Sequence, residues 1–275
     1  MSRSSRPLAL LGALGAAAAL SAASAAPAAA QSIFDRLRQA ANVARTLLPI
    51  STEKEIDIGR GIAATIAGRY PVSTDAALTR YVNLVGLTVA SIAPRPDISY
   101  HYAVLETPDV NAFAAPGGYI FITRGALRLI HNEAELAGVL AHETGHVNAR
   151  HVINQIRKSD TMREVKNQVD IQGGVLDQLV GSGSNMLFMG LSRGDELEAD
   201  SLGIEYASSA GYDPGGLAAF ISRLDQHASE GALADFYATH PKPNERIERL
   251  TAIARREHLS GGVQLEERFA ANISK

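Results

Sequence analysis

Eleven residues, "AHETGHVNARH" at 141 to 151, carry three of the chain's eight histidines and a glutamate. On an α-helix His142 and His146 lie one turn apart on the same face, so their imidazoles can converge on one point. Two histidines at i and i+4 supply half of a tetrahedral zinc site, whose nitrogen ligands sit at roughly 2.0–2.1 Å. Glu143, beside the first histidine, is near enough to take a proton from a metal-activated water. The alternative is a helix end that carries imidazoles by coincidence. Against it stands "AELAGVLAHETGH", apolar nearly all round before the motif and therefore a buried central helix. Ionisable side chains in such a place need a reason.

A catalytic zinc site needs a third protein ligand and an open position. Among the downstream acids, "DELEAD" places Glu196 and Asp200 four apart on one helix face. Glu198 points about 200° away from Glu196 on the helical wheel and cannot serve the same site. Glu196 is read as the third ligand and Asp200 as its neighbour, holding a metal-bound histidine by its other ring nitrogen. A solvated acidic turn is the alternative. Gly203 continues the face, where a missing side chain lets another helix come close.

These residues need elements to hold them. "STEKEIDIGRGIAATIAGRY" opens with a capping-box pattern, Thr52 with Glu55, and runs as a helix. A second helix is expected from about Asp75 to Ala93. "ISYHYAVLET" alternates like a strand, and "GGYIFITRG" reads as another behind a Pro-Gly-Gly turn. One long helix, roughly Asn132 to Ile156, contains the histidines. Residues 157–192 turn from charged to glycine-rich and are expected to form a mobile flap or loop. "GSGS" within them lacks the lysine of a phosphate loop. Helices follow over "GDELEADSLGIEYASSAG", "DPGGLAAFISRLDQH" and "HPKPNERIERLTAIARRE". No repeat or linker divides the chain. The expected fold is α+β and mostly helical, one domain over 51–258 with a small sheet, followed by a tail at 259–275.

The chain's 275 residues are 46% hydrophobic and 20% charged, as in globular proteins. The first thirty stand apart: a basic start, an apolar run and small residues ending in Ala28-Ala29-Ala30. They read as a secretory signal peptide cleaved after Ala30, which makes the chain periplasmic or otherwise exported. The apolar run is too short for a membrane span. Residues 31–50 form an amphipathic arm, with Ile33, Phe34, Leu37, Ala41, Ala44 and Leu48 at helical spacing. It docks on its own domain or, as the sharper reading, touches a membrane surface peripherally through 31–48. The absence of cysteine excludes a lipid anchor on cysteine, disulfides and thiolate ligands. Without Arg3 and Arg6 of the leader, 24 basic residues face 29 acidic ones, a net charge of −5 that argues against nucleic acid as a partner.

Four ordered motifs, "NAFAAPGGYIFITRGAL", "HETGHVNARH", "SRGDELEAD" and "THPKPNERI", resemble the zinc metallopeptidase family of HtpX and the CAAX prenyl proteases, nearest to its soluble exported branch. The resemblance runs from about Glu55 to Ala254. It implies one zinc per chain held by His142, His146 and Glu196, Glu143 as general base, and Asp200 as supporting carboxylate. It also implies a zincin-like (gluzincin) domain, helices around a small sheet whose edge strand lines the cleft. The multi-span membrane helices of integral members are not found, nor is the C-terminal helical-repeat region of some periplasmic relatives. An edge strand can bind an extended peptide backbone, so Gly118, Tyr119, Ile120 and Phe121 are assigned to substrate alignment. The resemblance places His240 near the metal, either stabilising the oxyanion or ligating zinc in a closed resting state. His151 and Arg150 are expected to support the helix end and neighbouring carboxylates, and Arg193 to pair with an acid near the site. His101, His131, His227 and His258 are read as incidental. The implied activity is a zinc metalloendopeptidase acting on unfolded or unassembled envelope proteins; the alternative is a holdase that binds such chains without cutting them.

Overall fold

The computed structural model describes residues 50–159, 174–226, 240 and 243–273. The expected signal peptide at 1–30, all but the last residue of the expected arm at 31–50 and part of the 157–192 segment lie outside those residues. Among the described residues no helix is long and apolar enough to cross a membrane.

Ser51 starts the first helix, α1 (Thr52–Arg69), by accepting a hydrogen bond from the Lys54 N–H. The cap thus falls one residue ahead of the expected Thr52 and puts a lysine where a capping box needs an acid. Glu55 turns inward instead, fully buried against the Arg95 guanidinium. Ile58, Ile62 and Ile66 recur every fourth residue and form the buried face. Asp75 caps α2 (Ala76–Ala90), which buries Leu78, Val82, Val85 and Val89.

Three strands follow, β1 (His101–Leu105), β2 (Ala112–Ala115) and β3 (Tyr119–Thr123), in the spatial order β1-β3-β2. β3 pairs in parallel with β1 and antiparallel with β2. The strand expected at the edge is therefore the centre of the sheet. Gly117 and Gly118, at φ of 72° and 93°, turn the chain tightly enough for β2 to fold back beside β3. Backbone groups of Tyr119, Ile120 and Phe121 are spent on both neighbours, and Gly118 lies in the turn. Among the described residues the unpaired edge on this side belongs to β2. Alternation sends Ile120 and Ile122 into one core with α2, and Phe121 into a second core with α1.

A short helix, α3 (Arg124–Leu129), leads to α4 (Glu133–Asn148), capped by Asn132 and buried at every residue from Glu133 to Val147. The single helix expected to reach Ile156 breaks at Arg150, which takes a left-handed φ of 59° before α5 (His151–Lys158). No glycine marks the break. At the break the Arg150 side chain reaches Glu55 at 2.8 Å and the Ile50 carbonyl at 2.5 Å.

Residues 174–189 of the expected flap form a helix, α6 (Gly174–Met189), with Leu179, Gly183 and Leu187 buried against α1 and α5. A Cβ at Gly183 would fall 2.5 Å from Ile62 Cδ1, so this glycine marks a close helix approach and not a hinge. α7 (Arg193–Ser209) opens with a capping box, Ser192 with Asp195, and stops before Gly211 at φ 92°. α8 (Gly216–Gln226), α9 (Pro243–Arg256) and α10 (Glu266–Ile273) complete the described chain. The expected tail is part of the fold. Phe269 is buried, Val263 forms a β-bridge with Tyr212, and the Gln264 carbonyl accepts from the Glu133 N–H at 2.8 Å.

Glu133, the first residue of α4, accepts from Tyr81 at 2.9 Å, Tyr212 at 2.8 Å and Arg268 Nε at 2.6 Å. Burial raises its pKa, but the bonds from Arg268, Tyr212 and Tyr81 prevail and hold it below the ordinary 4.5. A carboxylate depressed in the folded state contributes stability above its unfolded pKa, and loses it as pH falls through the folded value. Glu133→Gln is expected to lower stability at neutral pH by about 1–3 kcal/mol, and the gap should close in acid below 4.5. Thermal unfolding of both proteins across that range checks this; a gap that does not change with pH would contradict it.

Candidate metal centre and cleft

The centre forms where α4 crosses α7. A Cβ at Gly203 would lie 3.0 Å from the His142 nitrogen, and one at Gly145 would lie 3.3 Å from the Ala199 carbonyl oxygen. The two backbones therefore approach as closely as side-chain-free positions permit, as expected of Gly203. His142 and His146 project from α4 toward Glu196 on α7. Their Nε2 atoms are 3.0 Å apart, and Glu196 offers one oxygen 3.6 Å from His142 and the other 3.4 Å from His146. All three side chains are buried. A tetrahedral ion with bonds of about 2.0–2.2 Å has ligand-to-ligand edges of about 3.3–3.6 Å, so two imidazole nitrogens and a carboxylate at these separations fit one metal ion.

Behind His142, Asp200 Oδ1 stands 3.0 Å from Nδ1. Asp200 is gripped in turn by Arg246, at 2.7 Å and 2.9 Å, and both are nearly devoid of solvent. Behind His146, His151 places its Nδ1 2.8 Å from the His146 Nδ1. His151 also faces Glu198 at 3.4 Å and Asp195 at 3.9 Å, the neighbouring carboxylates it was expected to support. His240 bonds Glu196 through Nδ1 at 2.7 Å, within the cluster.

The electrostatics are set by burial and pairing. Burial lowers His142, but its bonds to Asp200 and Glu196 prevail and lift it to about 9. Burial brings His146 down to about 4. Burial likewise raises Glu196, yet the His240 charge and bonds from the three histidines hold it well below a normal carboxylate. Asp200 is also depressed, burial being outweighed by Arg246 and His142. Glu143 goes the other way: burial dominates and raises it. A carboxylate with raised proton affinity beside three donors suits proton transfer.

Glu143 and His240 line two adjoining crevices. One, of about 350 Å³ and partly open to solvent, is walled by Val110, Ala126, Val139, Leu217, Phe220 and Ile221. The other runs along β2, at Ala112, Phe113 and Ala114, toward Leu187 and Leu191. The strand beside the donors is β2, so the assignment of substrate alignment to Gly118, Tyr119, Ile120 and Phe121 is corrected. Arg193 pairs with an acid as expected, Glu245, from the solvent-exposed start of α7. The arginine that matters is its partner's neighbour, Arg246, which sequence reasoning missed. Its signal was present, because Arg246, Leu250 and Ile253 share the buried face of α9.

Removing one member of a buried ion pair strands the other, at about 3–5 kcal/mol. Arg246→Met should therefore destabilise the protein by about that much, read from urea unfolding midpoints. A loss below about 1 kcal/mol would show that Asp200 finds another partner.

Known proteins resemble this chain over the same region. The profile of peptidase family M48 matches residues 76–254. The beta-barrel assembly-enhancing protease of Escherichia coli (strain K12) is 27% identical over 211 residues, 72% of this chain and 43% of its own length. The mitochondrial metalloendopeptidase OMA1 of Schizosaccharomyces pombe is 32% identical over 179 residues, 62% of this chain and 52% of its own. The metalloprotease YcaL of Escherichia coli (strain K12) is 28% identical over 155 residues, 54% of this chain and 60% of its own. The matched region spans about half the length of these relatives. With a match over 76–254 that contains every metal-facing donor, the chain belongs to peptidase family M48.

Proposed function

We propose that this protein is a zinc-dependent endopeptidase of the zincin-like, gluzincin type, exported and acting on unfolded or unassembled envelope proteins. The observation that carries the reading is a buried Glu143 of raised proton affinity next to the His142, His146 and Glu196 donors, facing a cleft. Two imidazoles and a carboxylate suit zinc, one ion per chain. Zinc held there would supply Lewis acidity toward a peptide carbonyl and an attacking water. Glu143 takes the proton of that water on a carboxylate oxygen and delivers it to the leaving amine. Asp200 and Arg246 keep His142 in place. His240, tied to Glu196 through Nδ1, donates from Nε2, as the imidazolium, toward the oxygen where negative charge develops. The outer edge of β2, Ala112–Ala115, aligns an extended substrate by backbone hydrogen bonds. The apolar wall beside Glu143 accepts side chains that a folded protein hides, which favours unfolded substrates.

The leader-like residues 1–30 support export, and the name of the beta-barrel assembly-enhancing relatives supports an envelope substrate. Purified protein should bind one zinc and cut an unfolded protein, lose cleavage on chelation and regain it with zinc. Glu143→Gln should keep the metal and lower kcat/KM by about 10²–10⁴-fold. Cleavage that survives Glu143→Gln would overturn the base. Metal-loaded protein that binds unfolded chains without cutting them would instead make it a holdase.

A further inference from the structure

Glu55 is fully buried, carries no part of the proposed reaction, and holds two arginines. Arg95 grips it at 3.1 Å and 3.3 Å, and Arg150 Nε lies 2.8 Å from the Oε2 that Arg95 also bonds. Arg150 is the residue in left-handed conformation, φ 59° and ψ 35°, between α4 and α5. For a non-glycine residue that conformation is costly and needs outside support. Its consequence is local: the chain turns so that His151, the next residue, faces back onto His146. Glu55, Arg150 and His146 line one small crevice.

Proton bookkeeping then fixes who donates to whom. His146 points Nε2 at His142 and Glu196, so a metal ligand there needs the Nε2 lone pair, and the proton of a neutral ring sits on Nδ1. The atom 2.8 Å away is the His151 Nδ1, which must therefore accept. His151 then carries its own proton on Nε2, directed at Glu198 and Asp195. His142 is oriented by a carboxylate with a buried arginine behind it, whereas His146 is oriented by an imidazole.

We infer that His151 is the positioning residue that fixes the tautomer and ring plane of His146, and that the ion pair of half-buried Arg150 with buried Glu55 locks the left-handed turn that delivers it. The inference rests on His142, His146 and Glu196 being the metal ligands.

The test is zinc affinity by chelator competition, with the visible spectrum of the cobalt-substituted protein as a second readout. Loss of an outer partner of a metal-bound histidine typically weakens binding about 10–100-fold. His151→Ala is expected to fall in that range and to shift the cobalt bands. His151→Asn should restore part of the loss, because its Oδ1 can accept from His146 Nδ1. Arg150→Ala should weaken zinc in the same direction, and Arg150→Gly less so, since glycine takes positive φ without strain. Unfolding midpoints in excess chelator separate damage to the fold from damage to the centre. Zinc affinity and cobalt bands unchanged in His151→Ala would overturn the positioning role. Arg150→Gly no better than Arg150→Ala would overturn the lock. A wild type that binds no zinc would instead overturn the metal-site reading on which both depend.

Discussion

Two helices can gather imidazoles and carboxylates in a dry interior only if their backbones nearly touch. Gly145 on α4 and Gly203 on α7 meet that constraint, one against the Ala199 carbonyl and the other against the His142 amide. Any side chain at Gly203 would press on the His142 backbone and push α7 outward, taking Glu196 and Asp200 with it. Both acids are set by one rigid helix, a turn apart, so a single approach distance places both carboxylates against the histidines together. The rest of the fold holds this crossing. α8 packs on α4 from one side, with a Cβ at Gly138 reaching to 2.6 Å of the Leu217 nitrogen, and α2 and the sheet cover another.

Burying so much ionisable chemistry requires a counter-group for each member. His142 has Asp200 and Arg246, Glu196 has His240, Glu55 has Arg95 and Arg150, and Glu133 has two tyrosines and Arg268. Each of these acids with a resolved shift is held below its ordinary pKa. Glu143 is raised by burial and lies between the two crevices. That contrast within one interior is what the proposed proton transfer by Glu143 would need.

Much of the centre could be read from spacing, because helical periodicity is local. His142, His146, Glu196 and Asp200 required only i, i+4 patterns on two helices. Their convergence follows from Gly145 and Gly203, and spacing also suggested the role of Gly203. What escaped was tertiary. Arg150 breaks a helix without a glycine, and its side chain meets Glu55, almost a hundred residues earlier. β3 reads as an edge until the short, alanine-rich β2 is seen paired beside it. The glycines of 174–189 suggested a flap, since a close helix approach and a flexible loop use the same residue. Arg246 lay on an apolar face, where a charge is easily taken for a solvated end.

The proposed centre is one metal ion bound by His142, His146 and Glu196 between α4 and α7. Anomalous diffraction at the zinc edge tests it most directly. The predicted result is a single peak within about 2.0–2.2 Å of the two Nε2 atoms and a Glu196 oxygen, with Glu143 unligated. A peak elsewhere, or none from protein crystallised with zinc, would contradict it.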